Sequence, residues 1–177
     1  EIALVLDTSG SMAYNNPPNG PRMTRLKQAV NLFLDTCKPE DRVLTVSFAD
    51  GAEFYHGLTS DLSKARDAVA SFIPDGATHI AAGVDMAQLS LASSDIAGKP
   101  RLMVVFTDGL AYQDFPACTV GATKLVCMAT QTTASFTAAK VAGTTVILIV
   151  LDLENLLAST FQGLPFDPDT LRSIIYS

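Results

Sequence analysis

The sequence lacks the long apolar run that a membrane helix needs. Its longest apolar run covers only residues 146–151, whereas a membrane span takes about 20 residues. Basic residues are also few: 12 Lys and Arg stand against 18 Asp and Glu, which gives a net charge of −6. Because nucleic acids and anionic membranes attract basic surfaces, we expect no nucleic-acid partner and no direct membrane insertion.

Cysteine is scarce as well, with three in 177 residues. Their spacing fits no zinc motif. Cys118 and Cys127 form either a disulfide that closes a short loop or two reduced thiols, and the spacing leaves both alternatives open. A disulfide would indicate an oxidising compartment. Cys37 lies near the end of a helical pattern and is expected to be an ordinary buried residue.

What is present is a regular alternation of short apolar runs and amphipathic segments. Strands are predicted at 2–6, 42–48, 52–56, 101–106 and 144–151. Helices are predicted at 23–37, 61–72, 80–92, 132–142 and 167–176, with 110–131 irregular. This order predicts an α/β fold with a doubly wound, mainly parallel sheet and helices on both faces. The hairpin at 42–56 adds one antiparallel edge strand. We expect a single domain over 1–177, excised from a longer protein because the chain begins directly in a strand.

The first eleven residues, EIALVLDTSGS, carry the strongest local signal. The apolar run Ile2 to Leu6 is typical of a strand that is buried on both faces. It ends abruptly at Asp7, and small polar residues follow. In an open α/β sheet, ligands bind at the carboxyl ends of the strands. Asp7, Ser9 and Ser11 therefore offer one carboxylate and two hydroxyls on one side of such a loop.

Two other segments place oxygen ligands at comparable positions. Thr78 follows the turn Pro74-Asp75-Gly76, and Asp108 follows the buried strand RLMVVF. Hard oxygen ligands of low total charge are preferred by Mg²⁺, Mn²⁺ or Ca²⁺ rather than by Zn²⁺. The sequence therefore predicts a divalent-cation site, with Mg²⁺ as the first choice, made of Asp7, Ser9, Ser11, Thr78 and Asp108.

These motifs, DTSGS at 7–11, the isolated Thr78 and FTDG at 106–109, resemble the von Willebrand factor A domain with its metal-ion-dependent adhesion site. The resemblance covers essentially the whole chain and implies the Rossmann-like fold of that family. It implies a non-enzymatic adhesion or protein-binding module, in which the serines and the threonine hold the ion directly. The two aspartates then ligate directly or through water.

The resemblance also implies a partner and a location. The partner would be a protein, such as an extracellular-matrix or cell-surface component, whose carboxylate completes the coordination of the ion. The domain would then lie outside the cell or at its surface. The family further implies that the final helix shifts when the loop of Asp108 changes its coordination. The cysteine-bearing segment 111–131 is longer than in many relatives and follows Asp108 directly, where it would add to the binding surface.

The sequence leaves several alternative interpretations open. Each site residue has a purely structural role open to it: a capping loop for residues 7–11, a helix N-cap for Thr78, and a turn before Gly109 for Asp108. An intracellular domain of the same family, acting as a platform in a multiprotein assembly, differs only in the redox state of Cys118 and Cys127. A phosphatase of the haloacid dehalogenase type would use Asp7 as nucleophile, but such enzymes need a second aspartate two positions later, where this chain has Ser9.

Overall fold

The computed structural model of the chain describes residues 1–15, 21–94, 96, 98–109 and 121–151. Its strands are β1 (Ile2–Asp7), β2 (Val43–Phe48), β3 (Ala52–Thr59), β4 (Arg101–Thr107) and β5 (Thr144–Val150). Its helices are α1 (Arg22–Asp35), α2 (Ser63–Ser71), α3 (Ile80–Ala92) and α4 (Gly121–Val141), with a short 3-10 helix over Gly10–Ala13. Each helix in these ranges is too short or too polar to cross a lipid bilayer.

The strands form one sheet in the order β3-β2-β1-β4-β5, with β1 in the centre. β1 pairs in parallel with β2 on one side and with β4 on the other, and β5 pairs in parallel with β4. β3 pairs antiparallel with β2 at the edge. The predicted mainly parallel sheet with one antiparallel edge strand is thus confirmed. The chain passes from β1 to β2 on one side of β1 and later crosses from β3 to β4 on its other side, so the topological switch point lies at the carboxyl ends of β1 and β4.

The core consists of two apolar clusters, one on each face of the sheet. Alternate residues of β1 point to opposite faces, and all six of its residues are buried. Leu4 and Leu6 pack in the cluster that contains the apolar face of α1, whereas Ala3 and Val5 pack with α3 and α4. Burial on both faces fixes β1 between the two helical layers. The loop that follows Asp7 therefore starts from a well-packed strand.

Two predicted boundaries differ from the structure by more than two residues. The segment 121–131, predicted to be irregular, forms the first half of α4. Threonine was expected to begin this helix, but Thr133 and Thr137 instead donate their hydroxyl protons to the carbonyls of Ala129 and Thr133, at 2.8 Å each. Such bonds to the preceding turn satisfy a threonine inside a helix. In addition, β3 continues to Thr59, three residues beyond the predicted end.

Other predictions fall on residues outside the described ranges. These are the final helix at 167–176 and the pairing of Cys118 with Cys127, which stays a prediction because Cys118 is not described. Cys37 was expected to be buried, but it lies two residues beyond the end of α1 and is a half-buried free thiol that packs against the core.

Candidate metal centre

Asp7 is the innermost residue of the predicted site. It ends β1, and its carboxylate is fully buried. One oxygen, Oδ1, accepts a hydrogen bond from the backbone N–H of Ser9 at 2.8 Å. The other, Oδ2, accepts one from the hydroxyl of Thr107 at 2.6 Å. Asp7 therefore joins the end of β1 to the end of β4.

Burial raises the pKa of Asp7 from 3.8 to about 6. The hydrogen bonds from Ser9 and Thr107 oppose this shift, and the nearby negative charge of Asp108 adds to it. Loss of hydration thus outweighs the local hydrogen bonds. A carboxylate in this position favours either a proton or a cation beside it.

Ser9 and Ser11 connect Asp7 to Asp108. Ser9 is buried, and its Oγ lies 3.1 Å from Oγ of Ser11. The Ser11 hydroxyl donates to Oδ1 of Asp108 at 2.8 Å. Because a hydroxyl has a single proton, Ser9 must be the donor in its contact with Ser11. The structure thus brings both serines and both aspartates to one edge of the sheet.

Asp108 follows β4 and its side chain is fully shielded from solvent. Its second oxygen, Oδ2, accepts a hydrogen bond from Nη1 of Arg22 at 2.7 Å, which forms an ion pair. Neither carboxylate of the site is therefore exposed to bulk water. Each oxygen of Asp108 already accepts a hydrogen bond from this chain.

Thr78 lies on a loop that is attached to the first loop by backbone hydrogen bonds. The N–H of Asp75 donates to the carbonyl of Thr8, and the N–H of Gly10 donates to the carbonyl of Gly76, both at 2.9 Å. Gly76 has φ of +75°, a conformation that favours glycine. Thr78 itself is buried. It is not the N-cap of α3, since that position belongs to His79.

Arg22 and Thr107 are the residues that sequence reasoning missed. Thr107 directly precedes Asp108 in the FTDG motif, so the sequence indicates that it lies close to the site. Its hydrogen bond to Asp7, however, depends on the pairing of β1 with β4. Arg22 is the first residue of α1, and no motif marks it. Its contact with Asp108 exists only in the folded chain.

The donor set fits a hard divalent cation. Among the described residues, no three or more His, Cys, Asp or Glu side chains cluster so as to hold a metal. An ion at this edge would therefore depend on hydroxyl oxygens as well as on Asp7 and Asp108. Such a set suits Mg²⁺, Mn²⁺ or Ca²⁺. The buried Asp7 carboxylate would regain, from the ion, the favourable charge interactions that it lost with water.

The order of the strands and the position of this site define an open α/β domain with a polar switch point. The family model of the von Willebrand factor type A domain matches residues 2–110. The chain therefore belongs to the von Willebrand factor type A domain family. Domains of this family are generally protein-interaction or adhesion modules, and they often bind divalent metals. Curated protein sequences give no significant match.

Several solved structures share the fold. An aerotolerance-related membrane protein from Bacteroides fragilis is 24% identical with a TM-score of 0.67, and the match covers 84% of this chain and 66% of that one. The von Willebrand domain of the type V pili tip protein Mfa5 from Porphyromonas gingivalis is 22% identical, with a TM-score of 0.55 and coverages of 62% and 38%. Manganese-loaded TRAP from Plasmodium vivax is 14% identical, with a TM-score of 0.65 and coverages of 98% and 70%. The chain thus spans slightly less than two thirds of the first of these proteins.

Proposed function

We propose that this domain binds a partner protein through a divalent cation. Asp7, Ser9, Ser11, Thr78 and Asp108 would hold the ion, with Mg²⁺ preferred and Mn²⁺ or Ca²⁺ as alternatives. When bound, the cation would act as a Lewis acid that accepts a carboxylate oxygen of the partner. The role is binding rather than catalysis, and the domain acts as a single unit.

The observation that carries this proposal is the burial of two carboxylates at the same edge of the sheet. Asp7 and Asp108 both have fully buried side chains, and the serine pair links them. Isolated buried carboxylates are costly, so natural sites pair them with protons, cations or metals. A purely structural loop needs no such pair. Two acidic side chains from distant loops, joined by hydroxyls, are what a hydroxyl-rich cation site requires.

Each residue of the site has a distinct task in this proposal. Asp7 supplies the charge that holds the ion, and Thr107 together with the N–H of Ser9 fixes the direction of its oxygens. Ser9, Ser11 and Thr78 supply neutral oxygens, which leave the ion short of negative charge. That deficit attracts an acidic group from outside. The net charge of −6 repels acidic partners in general, so an acidic partner would gain from binding only where its carboxylate reaches the ion.

Isothermal titration calorimetry with Mg²⁺, Mn²⁺ and Ca²⁺ tests the cation directly. We expect one site in the wild type and none in Asp7→Ala or Asp108→Ala, with circular dichroism showing a retained fold. Asp67→Ala removes an exposed carboxylate of α2 and is the matched control, expected to bind like the wild type. Absence of binding to all three ions in the native domain would overturn the proposal.

The partner and the location need separate experiments. Pull-down with and without chelator should recover a protein only when the cation is present. We propose an extracellular or surface location, which the similarity to a pilus tip protein and to a membrane protein supports. Mass spectrometry with and without reductant tests the proposed disulfide between Cys118 and Cys127. Reduced thiols in the protein isolated from its source would favour an intracellular platform instead.

A further inference from the structure

Arg22 is a charged residue that the proposed cation site does not require. Its Nη1 lies 2.7 Å from Oδ2 of Asp108, and the two side chains are 13% and 0% exposed. Its guanidinium also lies over the ring of Tyr14, with 5.3 Å from Cζ to the ring centroid. A nearly buried positive charge thus lies in direct contact with a residue of the proposed site.

The backbone fixes Arg22 in this place. It is the first residue of α1, and its N–H donates to the carbonyl of Tyr14 at 3.1 Å. Asn15, next to Tyr14, forms an isolated antiparallel β-bridge with Pro21, next to Arg22. The positive end of a helix dipole disfavours an arginine in its first turn. The ion pair with Asp108 and the aromatic ring of Tyr14 offset that cost.

The charges of the site indicate what this arrangement does. A divalent cation balances the two negative charges of Asp7 and Asp108, so the loaded site would be neutral without Arg22. The cation, Asp7, Asp108 and Arg22 together carry one net positive charge. A positive charge close to the site repels the cation, and it attracts an incoming carboxylate. Arg22 also occupies one oxygen of Asp108, which weakens that carboxylate as a ligand.

We propose that Arg22 is a specificity-determining residue, which lowers the affinity of the domain for the cation and raises the affinity of the loaded site for a carboxylate. This inference rests on the proposed function. It goes further because it assigns to a residue of α1 opposite effects on the two binding steps. A residue that only stabilised the fold would change both affinities in the same direction or neither.

The test measures Mn²⁺ affinity by calorimetry in Arg22→Gln, Arg22→Lys and the wild type. Removing a neighbouring positive charge is expected to tighten Mn²⁺ binding by roughly tenfold in Arg22→Gln. Arg22→Lys retains the positive charge but lacks the planar guanidinium, so its Mn²⁺ affinity is expected to lie between those of the wild type and Arg22→Gln. Arg25→Gln removes the same charge one turn further along α1 and is the matched control, expected to bind Mn²⁺ like the wild type.

Acetate is the probe for the second step. Water-proton relaxation of the Mn²⁺-loaded domain reports displacement of bound water as acetate is added. Half-saturation is expected at a roughly threefold or higher acetate concentration in Arg22→Gln than in the wild type. In chelator, the melting temperature of Arg22→Gln is expected to fall below that of the wild type, because Asp108 loses its counter-ion.

The outcomes separate this inference from the proposed function. If the wild type binds no Mn²⁺, the proposed function fails. If the wild type binds Mn²⁺ but Arg22→Gln binds it equally or more weakly, only the role of Arg22 is overturned. Should Arg22→Gln fail to fold, Arg22→Lys decides alone: tighter Mn²⁺ binding than in the wild type supports the inference, and equal or weaker binding overturns it.

Discussion

At the scale of single residues, Asp7 shows most clearly how the fold prepares a site. Its carboxylate is fully buried at the end of β1, and the hydrogen bonds from Ser9 and Thr107 compensate for only part of the lost hydration. Its pKa of about 6 means that the charged form is disfavoured in the cation-free protein. The folded chain therefore carries an electrostatic cost at neutral pH, which a bound cation would remove.

This cost predicts a pH dependence of stability in chelator. The pKa of Asp7 is about 6 in the folded state against 3.8 in its ordinary state, so protonation stabilises the folded form. That stabilisation is complete below pH 3.8 and is lost as the pH rises through about 6. The loss corresponds to about 3 kcal/mol. Denaturant unfolding of the wild type and of Asp7→Asn between pH 4 and pH 7 measures it.

Asp7→Asn is the matched control because its amide cannot titrate. The stability of Asp7→Asn relative to the wild type is expected to rise as the pH increases from 4 to 7, because only the wild type then carries the free-energy cost of a buried charge. Other carboxylates titrate in both proteins and cancel in the difference. A difference that stays constant with pH would show that Asp7 does not carry the cost.

The hydrogen bond from Thr107 to Asp7 predicts a second effect on stability. Its hydroxyl donates to Asp7 at 2.6 Å and its side chain is buried. Thr107→Val keeps the shape but leaves a charged oxygen without its donor, so we expect a loss of about 2 kcal/mol in the free energy of unfolding at pH 7. The loss should shrink at pH 5, where Asp7 is protonated.

Thr107→Ser keeps the hydroxyl and is the control for this change. It is expected to retain most of the stability at pH 7 and to show no larger pH dependence than the wild type. Equal losses in the valine and serine variants would indicate that packing, rather than the hydrogen bond to Asp7, is responsible.

At the scale of elements, helix α3 lies very close to the sheet. A Cβ on Gly83 would come within 2.8 Å of Cδ1 of Phe48 and 3.0 Å of Cγ1 of Val5. Glycine inside a helix costs about 1 kcal/mol relative to alanine, so its presence here reflects the close approach. Because α3 begins two residues after Thr78, the packing of this helix on the sheet also positions the loop that carries Thr78.

Gly83→Ala is therefore expected to destabilise the domain, against the helix propensity of alanine. Overpacking in a tight core costs about 1–3 kcal/mol, which outweighs the gain in propensity. Gly51→Ala is the control, because a Cβ at Gly51 meets nothing within 4 Å. We expect a lower unfolding midpoint for Gly83→Ala and little change for Gly51→Ala in denaturant titration. An increase in stability of Gly83→Ala would show that α3 can move away from the sheet at little cost.

The elements that the sequence predicts well are those with a simple physical signature. β1 and β4 are continuous apolar runs, and the turn at Asp50-Gly51 predicts the antiparallel β3. The first half of α4 was missed because glycine and threonine suggested a loop. In the structure this segment is helical, so its alanine, leucine, methionine and lysine residues outweigh the glycine and threonine. The few residues that break or weaken a helix were given too much weight in the prediction.

At the scale of the whole molecule, the site depends on the order of the strands. β1 and β4 are neighbours although most of the domain separates them in sequence, and this pairing places Asp108 close to Asp7. The motifs and their resemblance to a known family predicted which side chains to expect there. They did not predict the contact of Arg22, since helix α1 reaches Asp108 only when it packs on the finished sheet.

The most direct measurement of the proposed cation site is anomalous X-ray diffraction from crystals grown with Mn²⁺. We expect one strong anomalous peak within coordination distance of the hydroxyls of Ser9 and Ser11, beside Asp7. The same crystals of Asp7→Ala should lack that peak. A wild-type map without a peak at this edge of the sheet, or with its peak elsewhere on the domain, would contradict the assignment of a cation site to these residues.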